Sequence, residues 1–180
     1  MSERPLVTFD FDGVLCRPPF GINPGTGIGK SREAAGKGGL LWATERWRYY
    51  LRRPMPGAPE GFRAIAAEFR CAIVTARSAH ADSFTREWLE RYLGTVPELH
   101  TRPHWRETSA QYKARKMREL QPIAHFEDDP FTAEWVAELV PHLFLVDWPR
   151  NRHLSGPNIH RIHALAEALP VLNVPQTSDR

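Results

Sequence analysis

Leu6-Val7-Thr8-Phe9-Asp10-Phe11-Asp12-Gly13-Val14-Leu15 is an apolar run that finishes in two carboxylates two residues apart and then a glycine. Its β-rich composition predicts a strand over Leu6 to Phe11, and Gly13 permits a tight turn directly after it. Side chains alternate along a strand, so a spacing of two sends Asp10 and Asp12 to the same side. Two like charges ending an apolar strand are unfavourable unless they bind a cation, and hard Mg2+ prefers carboxylate and carbonyl oxygens. The pair therefore predicts a metal site at the carboxyl end of the strand, where ligands collect in open α/β sheets.

Downstream, short β-rich runs alternate with segments of helical period. Strands are predicted over Leu6 to Phe11, Ala72 to Thr75, Glu98 to Thr101, Ile123 to Glu127 and His142 to Val146. Helices are predicted over Pro59 to Phe69, Ala79 to Leu93, Ser109 to Leu120, Phe131 to Leu139 and Asn158 to Leu169. The Ala79 to Leu93 segment is the clearest, with Phe84, Trp88, Leu89, Tyr92 and Leu93 on one face. This alternation predicts an α/β fold: a Rossmann-like, three-layer, doubly wound parallel sheet with the first strand central. Cys16 to Met55 interrupts the pattern, opening with proline and glycine and passing into the arginine and aromatic run Leu40 to Arg53. The predicted organisation is a core of residues 1–15 and 57–172, a loop and α-helical cap insertion over 16–56, and a tail over 173–180.

The length of 180 residues suits one such core, and the hydrophobic share of 42% can fill it. A net charge of +3 suits anionic partners, phosphorylated molecules and nucleic acid among them. The amino terminus shows no signal peptide and no segment approaches a membrane span, which predicts a cytoplasmic location and no membrane partner. Cys16 and Cys71, beyond the end of one predicted strand and at the start of another, would lie roughly 15 Å apart, so reduced thiols are expected.

Other predicted strand ends carry polar groups suited to the same crevice. Thr75-Ala76-Arg77 offers a hydroxyl, Glu127-Asp128-Asp129 offers three acids, and Lys113 lies early in the helix between them. A nucleophilic carboxylate, a second carboxylate, a hydroxyl, an ammonium and a distal acidic cluster meet the needs of phosphoryl transfer. There, charge on the phosphate must be neutralised before an anion can approach.

In this order, Asp10-Phe11-Asp12-Gly13-Val14, Thr75, Lys113 and Asp128 resemble the four motifs of haloacid dehalogenase-like phosphatases. The resemblance spans roughly Leu6 to Val146 and implies a Mg2+-dependent phosphomonoester hydrolase. It implies Asp10 as the phosphorylated nucleophile and Asp12 as acid and then base. Thr75, Ala76 and Lys113 would hold phosphate. The metal groups would be Asp10, Asp12 through its carbonyl, and Asp128, with Asp129 assisting through water. Glu127-Asp128-Asp129 leaves the register of the direct ligand open between Asp128 and Asp129, and Lys116 competes with Lys113. Thr75-Ala76-Arg77, Leu99 to Pro103 and Asp147-Trp148-Pro149-Arg150-Asn151 are similar to deoxyribonucleotidase-like members and polynucleotide-phosphatase domains. That similarity implies nucleotide-type substrates, a polynucleotide end being the rival. The other alternative is a module that binds phosphate or nucleic acid without turnover.

Gly25 to Ser31 does not complete a phosphate-binding loop, because Pro24 stands where the pattern needs glycine. Trp42 to Arg53 mixes aromatics with cations, as surfaces that stack bases do, while Leu40, Ala43, Trp47 and Leu51 also form the stripe of an amphipathic cap helix. Lys30, Arg46, Trp47 and Arg77 are the candidates for substrate selection. His100 with His104 and His160 with His163 have spacings that can share a helix face, but no cysteine or acid completes a zinc set.

Overall fold

A computed structural model describes residues 4–18, 52–103 and 107–174. Strand β1 (Leu6–Phe9) has all four residues buried, as expected of a strand covered on both faces. On one side of it lie β2 (Arg70–Ser78) and then β3 (Glu98–Arg102). On the other lie β4 (Ala124–Glu127), β5 (His142–Val146) and β6 (Ile159–Ile162). Every pairing is parallel. The order β3-β2-β1-β4-β5-β6 is that of a Rossmann-like doubly wound sheet, with the chain reversing its direction of growth between β1 and β4.

Helices cover both faces. From α1 (Ala58–Glu68) and α2 (Asp82–Leu93), Phe62, Ile65, Trp88 and Leu89 join Phe9, Phe126 and Phe144 in one core. From α3 (Ser109–Leu120) and α4 (Pro130–Ala137), Tyr112, Met117, Ala133 and Val136 join Val74, Leu143 and Leu145 in the other. Phe9 stacks on Phe126 at 4.6 Å between centroids, and Phe126 on Phe144 at 4.8 Å. Burying each ring is worth about 1.5–3 kcal/mol, and a slip of one residue would turn it to the wrong face. The ladder therefore fixes the register that brings the ends of β1 and β4 together. Gly61 serves a close approach, since a Cβ there would lie 2.8 Å from Leu165 Cβ.

The structure corrects one predicted element. Asn158 to Leu169 is not a helix: it forms β6, a 3-10 turn over Leu165–Ala168 and a short α5 (Leu169–Leu172). The spacing of Ile159, Ile162 and Leu165 fits a helix in isolation. In the folded chain, however, this segment pairs in parallel with β5, from Leu143 with Ile159 to Val146 with Ile162, and becomes the edge strand. Tertiary pairing outweighs the local period here. It also removes His160 and His163 from a common helix face, and His160 Nε2 instead meets His142 Nδ1 at 3.1 Å. Both Cys16 and Cys71 are free thiols.

β1 ends two residues earlier than expected and gives way to a turn in which Leu15 and Cys16 N–H groups donate to Phe11 O. Gly13 takes φ 88° there, a conformation a side chain would strain. Just beyond, Arg17 N donates to Arg53 O and Met55 N to Leu15 O, each at 2.8 Å, with Cys16 and Pro54 bridged antiparallel. The two stems of the interruption thus stand side by side at the carboxyl end of β1. The expected cap helix, Lys30, Arg46, Trp47 and His104 lie outside the described residues, as does 175–180 of the tail. Among the described residues no helix is long and apolar enough to cross a membrane.

Candidate active site

Phe9 is the register partner of Phe126, and Asp10 N donates to Phe126 O at 2.8 Å, so Asp10 leaves β1 beside the strand that leads to Asp128. One carboxylate oxygen from each of Asp10, Glu127 and Asp128 lies within 4.8 Å of the others, all three residues being buried. Lys113, projecting from α3, places Nζ 2.9 Å from Asp10 Oδ1 and 2.6 Å from Glu127 Oε2. The Arg150 guanidinium pairs with the Asp128 carboxylate and also donates to Asp128 O at 3.2 Å. Asn151 donates to the same carbonyl at 2.9 Å and to Val146 O at 2.8 Å, tying the loop after β5 to the site.

Three carboxylates crowded out of water cannot all ionise cheaply. Burial, reinforced by the charges of Glu127 and Asp12, raises Asp10 to about 7 even against the pull of Lys113. Asp128 is pushed well above the usual carboxylate range by burial and then by Glu127 and Asp10. Burial also opposes ionisation of Glu127, but Lys113 and His125 outweigh it and hold that carboxyl low. Lys113 in turn is held above its ordinary value by Asp10 and Glu127, despite burial.

Asp12 points into a different environment. Arg77 Nε and Nη2 donate to its two oxygens at 2.7 and 2.9 Å, and Arg52 Nη1 pairs with Oδ1. Burial pushes Asp12 upward, yet the two guanidiniums prevail and hold it at about 2. Arg77 is aimed by an irregularity in the pairing of β2 with β3 between Thr75 and Ser78, and is braced by Thr85 Oγ1 at 3.1 Å and the Phe11 ring at 4.2 Å. Arg52 belongs to the returning stem. Its Nε donates to Arg17 O at 3.1 Å, and its own carbonyl accepts from Trp88 Nε1 at 2.7 Å.

Thr75 is buried within β2, at the last pair before its register with β3 shifts; its Oγ1 accepts from Arg77 N at 3.3 Å, and Ala76 follows in the irregular stretch. Lys116, the competing lysine, faces outward to Glu119 at 2.7 Å. Asp129 Oδ2 accepts from Thr132 N at 2.9 Å and Thr132 Oγ1 at 2.8 Å, capping α4. Neither its carboxylate nor that of Asp12 belongs to the buried cluster, where Glu127 stands instead. Three further residues escaped the sequence reading of the site: Arg52, Arg150 and His125. Arg52 and Arg150 sit in stretches singled out for composition or resemblance, but their partners are distant in sequence. The alternation His125, Glu127 within β4 was the available signal for the third.

The donor set is oxygen only and anionic, with Asp10 and Asp128 held above their ordinary range chiefly by burial and then by the neighbouring carboxylates. That chemistry fits a hard divalent cation.

The architecture is the haloacid dehalogenase-like fold. A haloacid dehalogenase-like family hydrolase from Xanthomonas campestris superposes with a TM-score of 0.62 at 14% identity, covering 96% of this chain and 97% of that one. The D,D-heptose 1.7-bisphosphate phosphatase from B. bronchiseptica, complexed with magnesium and phosphate, gives 0.55 at 13% identity over 93% and 97%. A phospho-aspartyl intermediate analogue of phosphoserine phosphatase gives 0.55 at 11% identity over 94% and 99%. No protein-family model and no curated protein sequence matches the chain.

Proposed function

We propose that this protein is a Mg2+-dependent phosphomonoester hydrolase working through an aspartyl-phosphate on Asp10, with a nucleotide or other small phosphate ester as substrate. The observation that carries the reading is the buried grouping of Asp10, Asp128 and Lys113 at the β1 and β4 strand ends, with Lys113 Nζ 2.9 Å from Asp10 Oδ1. Of the neighbours, one was solved with magnesium and phosphate and another as a phospho-aspartyl analogue, which supports the same chemistry for this fold.

Asp10 and Asp128 would hold the ion, which when bound supplies positive charge against the phosphate and the attacking carboxylate. Lys113 neutralises a phosphoryl oxygen, and the Thr75 hydroxyl on the neighbouring β2 supplies a hydrogen bond. With that charge balanced, Asp10 Oδ attacks phosphorus, the ester oxygen departs, and the Asp10 acyl phosphate is then hydrolysed by water. Asp12 delivers the proton to the leaving oxygen and takes one from the water. Its ion pairs with Arg52 and Arg77 describe the resting, deprotonated form, so substrate entry must loosen at least one guanidinium before Asp12 serves as the acid. Asp10→Asn should abolish Mg2+-dependent hydrolysis of p-nitrophenyl phosphate, and undiminished turnover would reject the mechanism.

A further inference from the structure

We propose that His125 is a positioning residue that acts through Glu127 on Lys113, a role that rests on the phosphoryl-transfer reading above. Along β4, Ala124 and Phe126 face the Phe9 core, so alternation turns His125 and Glu127 to the opposite face, beneath α3. There Thr8, His125 and Glu127 are all 0% exposed and Lys113 is 2% exposed. Nothing in that space can exchange a lost partner for water.

Glu127 has its acceptor sites filled by the protein. Oε1 accepts from Asp128 N at 3.0 Å and Asp129 N at 3.1 Å. Oε2 accepts from Lys113 Nζ at 2.6 Å, and His125 Nε2 stands 3.4 Å from the same oxygen. Two lone-pair sites on each oxygen make four, and four donors surround them. Although Glu127 lies within the acidic cluster, it is thereby the anchor of the lysine rather than a ligand for the cation. That part falls to Asp10 and Asp128.

The proton inventory fixes how His125 serves. Nδ1 is 2.9 Å from Thr8 Oγ1, and that hydroxyl can also reach Ala124 O at 3.2 Å or Met117 Sδ at 3.6 Å. A ring protonated on Nδ1 alone would aim the Nε2 lone pair at a carboxylate oxygen in a dry space, which is repulsive. Nε2 therefore carries hydrogen, whatever the state of Nδ1. With Nδ1 unprotonated Thr8 donates to it, with Nδ1 protonated Thr8 accepts from it and donates to Ala124 O, and in either case His125 donates to Glu127 and Lys113 bridges Glu127 to Asp10. The 3.4 Å contact is long, so its consequence is orientation: it stops Glu127 from turning on its own axis and carrying the ammonium off Asp10.

The test compares wild type, His125→Leu, and His125→Gln, whose amide can restore a donor near the Nε2 position. Expected for His125→Leu are kcat/KM on p-nitrophenyl phosphate lower by on the order of tenfold, weaker binding of inorganic phosphate by calorimetry, and Mg2+ affinity within about twofold of wild type. His125→Gln should recover most of the loss, and long-range proton–nitrogen spectra of the wild type should show Nε2 protonated. Wild-type kinetics and phosphate binding in His125→Leu would overturn the proposal, as would an unprotonated Nε2. So would a fall in Mg2+ affinity in step with activity, which would place Glu127 among the ligands. Should His125→Leu not fold, Thr8→Val probes the same line, a smaller loss supporting it and no change refuting it. A wild type inert toward every phosphomonoester would instead count against the hydrolase reading, while the nitrogen spectrum and the phosphate isotherm would still decide the role of His125.

Discussion

Asp10 and Asp12 are separated by one residue, yet their surroundings are opposite. Asp10 faces a dry cluster in which carboxylates outnumber ammonium groups, and it is pushed up to about 7. Asp12, 32% exposed at the side chain, faces two guanidiniums and is held at about 2. Two chemically identical groups thus become one that awaits a cation and one that starts without a proton. In the ion-free, substrate-free site this ordering is the reverse of the proposed roles, nucleophile protonated and acid ionised, so a cation at Asp10 and a displaced guanidinium at Asp12 must invert it. The two half-sites should accordingly respond differently to substitution, pH and metal.

The sharpest contrast is expected on the buried side. Lys113→Met leaves Asp10 and Glu127 without their shared counter-charge and should cost about 3–5 kcal/mol in chemical denaturation, along with activity. A loss under 1 kcal/mol would contradict the burial argument. The next effect is linkage to metal. Asp10 and Asp128 have folded-state pKa values above the unfolded value of about 4, so the ion-free folded chain binds more protons than the unfolded one as pH rises from there to about 7. Ion-free stability therefore falls across that window. Mg2+ replaces the protons, so the melting-temperature gain from Mg2+ should be larger at pH 8 than at pH 5, and an equal gain at both would contradict the assignment.

The Asp12 side should be milder. Arg52→Ala leaves Arg77 on both oxygens of a partly exposed carboxylate, so a stability change of about 1 kcal/mol or less is expected in urea. Its signature should instead be kinetic: with one guanidinium gone the pKa of Asp12 rises, so the limb of the kcat/KM profile on which activity falls as Asp12 loses its proton moves to higher pH. The smallest effect belongs to the outward lysine, since Lys116→Ala breaks only exposed contacts and should cost under about 0.5 kcal/mol with kcat/KM unchanged.

What sequence could reveal followed physical locality. β1, β4, β5 and α2 were legible because burial and period agreed within each segment, and Asp10 and Lys113, singled out by their order in the chain, do meet at 2.9 Å. β6 was not legible, since Ile159 to Ile162 becomes a strand by pairing with Leu143 to Val146, a contact outside the local period of its own segment. The partners of Asp12 were hidden for a related reason: Arg52 arrives from the returning stem and Arg77 through an irregularity, neither of which a spacing rule encodes. The cap that Asp129 forms with Thr132 at the start of α4 is a local feature that the acidic run Glu127-Asp128-Asp129 did not announce.

The chemistry assigned to Asp10 can be read directly. Protein turning over p-nitrophenyl phosphate with Mg2+ is quenched in acid, reduced with borohydride, digested and examined by mass spectrometry. An acyl phosphate on residue 10 should appear as homoserine at that position, and only when substrate was present. Steady turnover with Asp10 unmodified, or reduction found at a different carboxylate, would contradict the account.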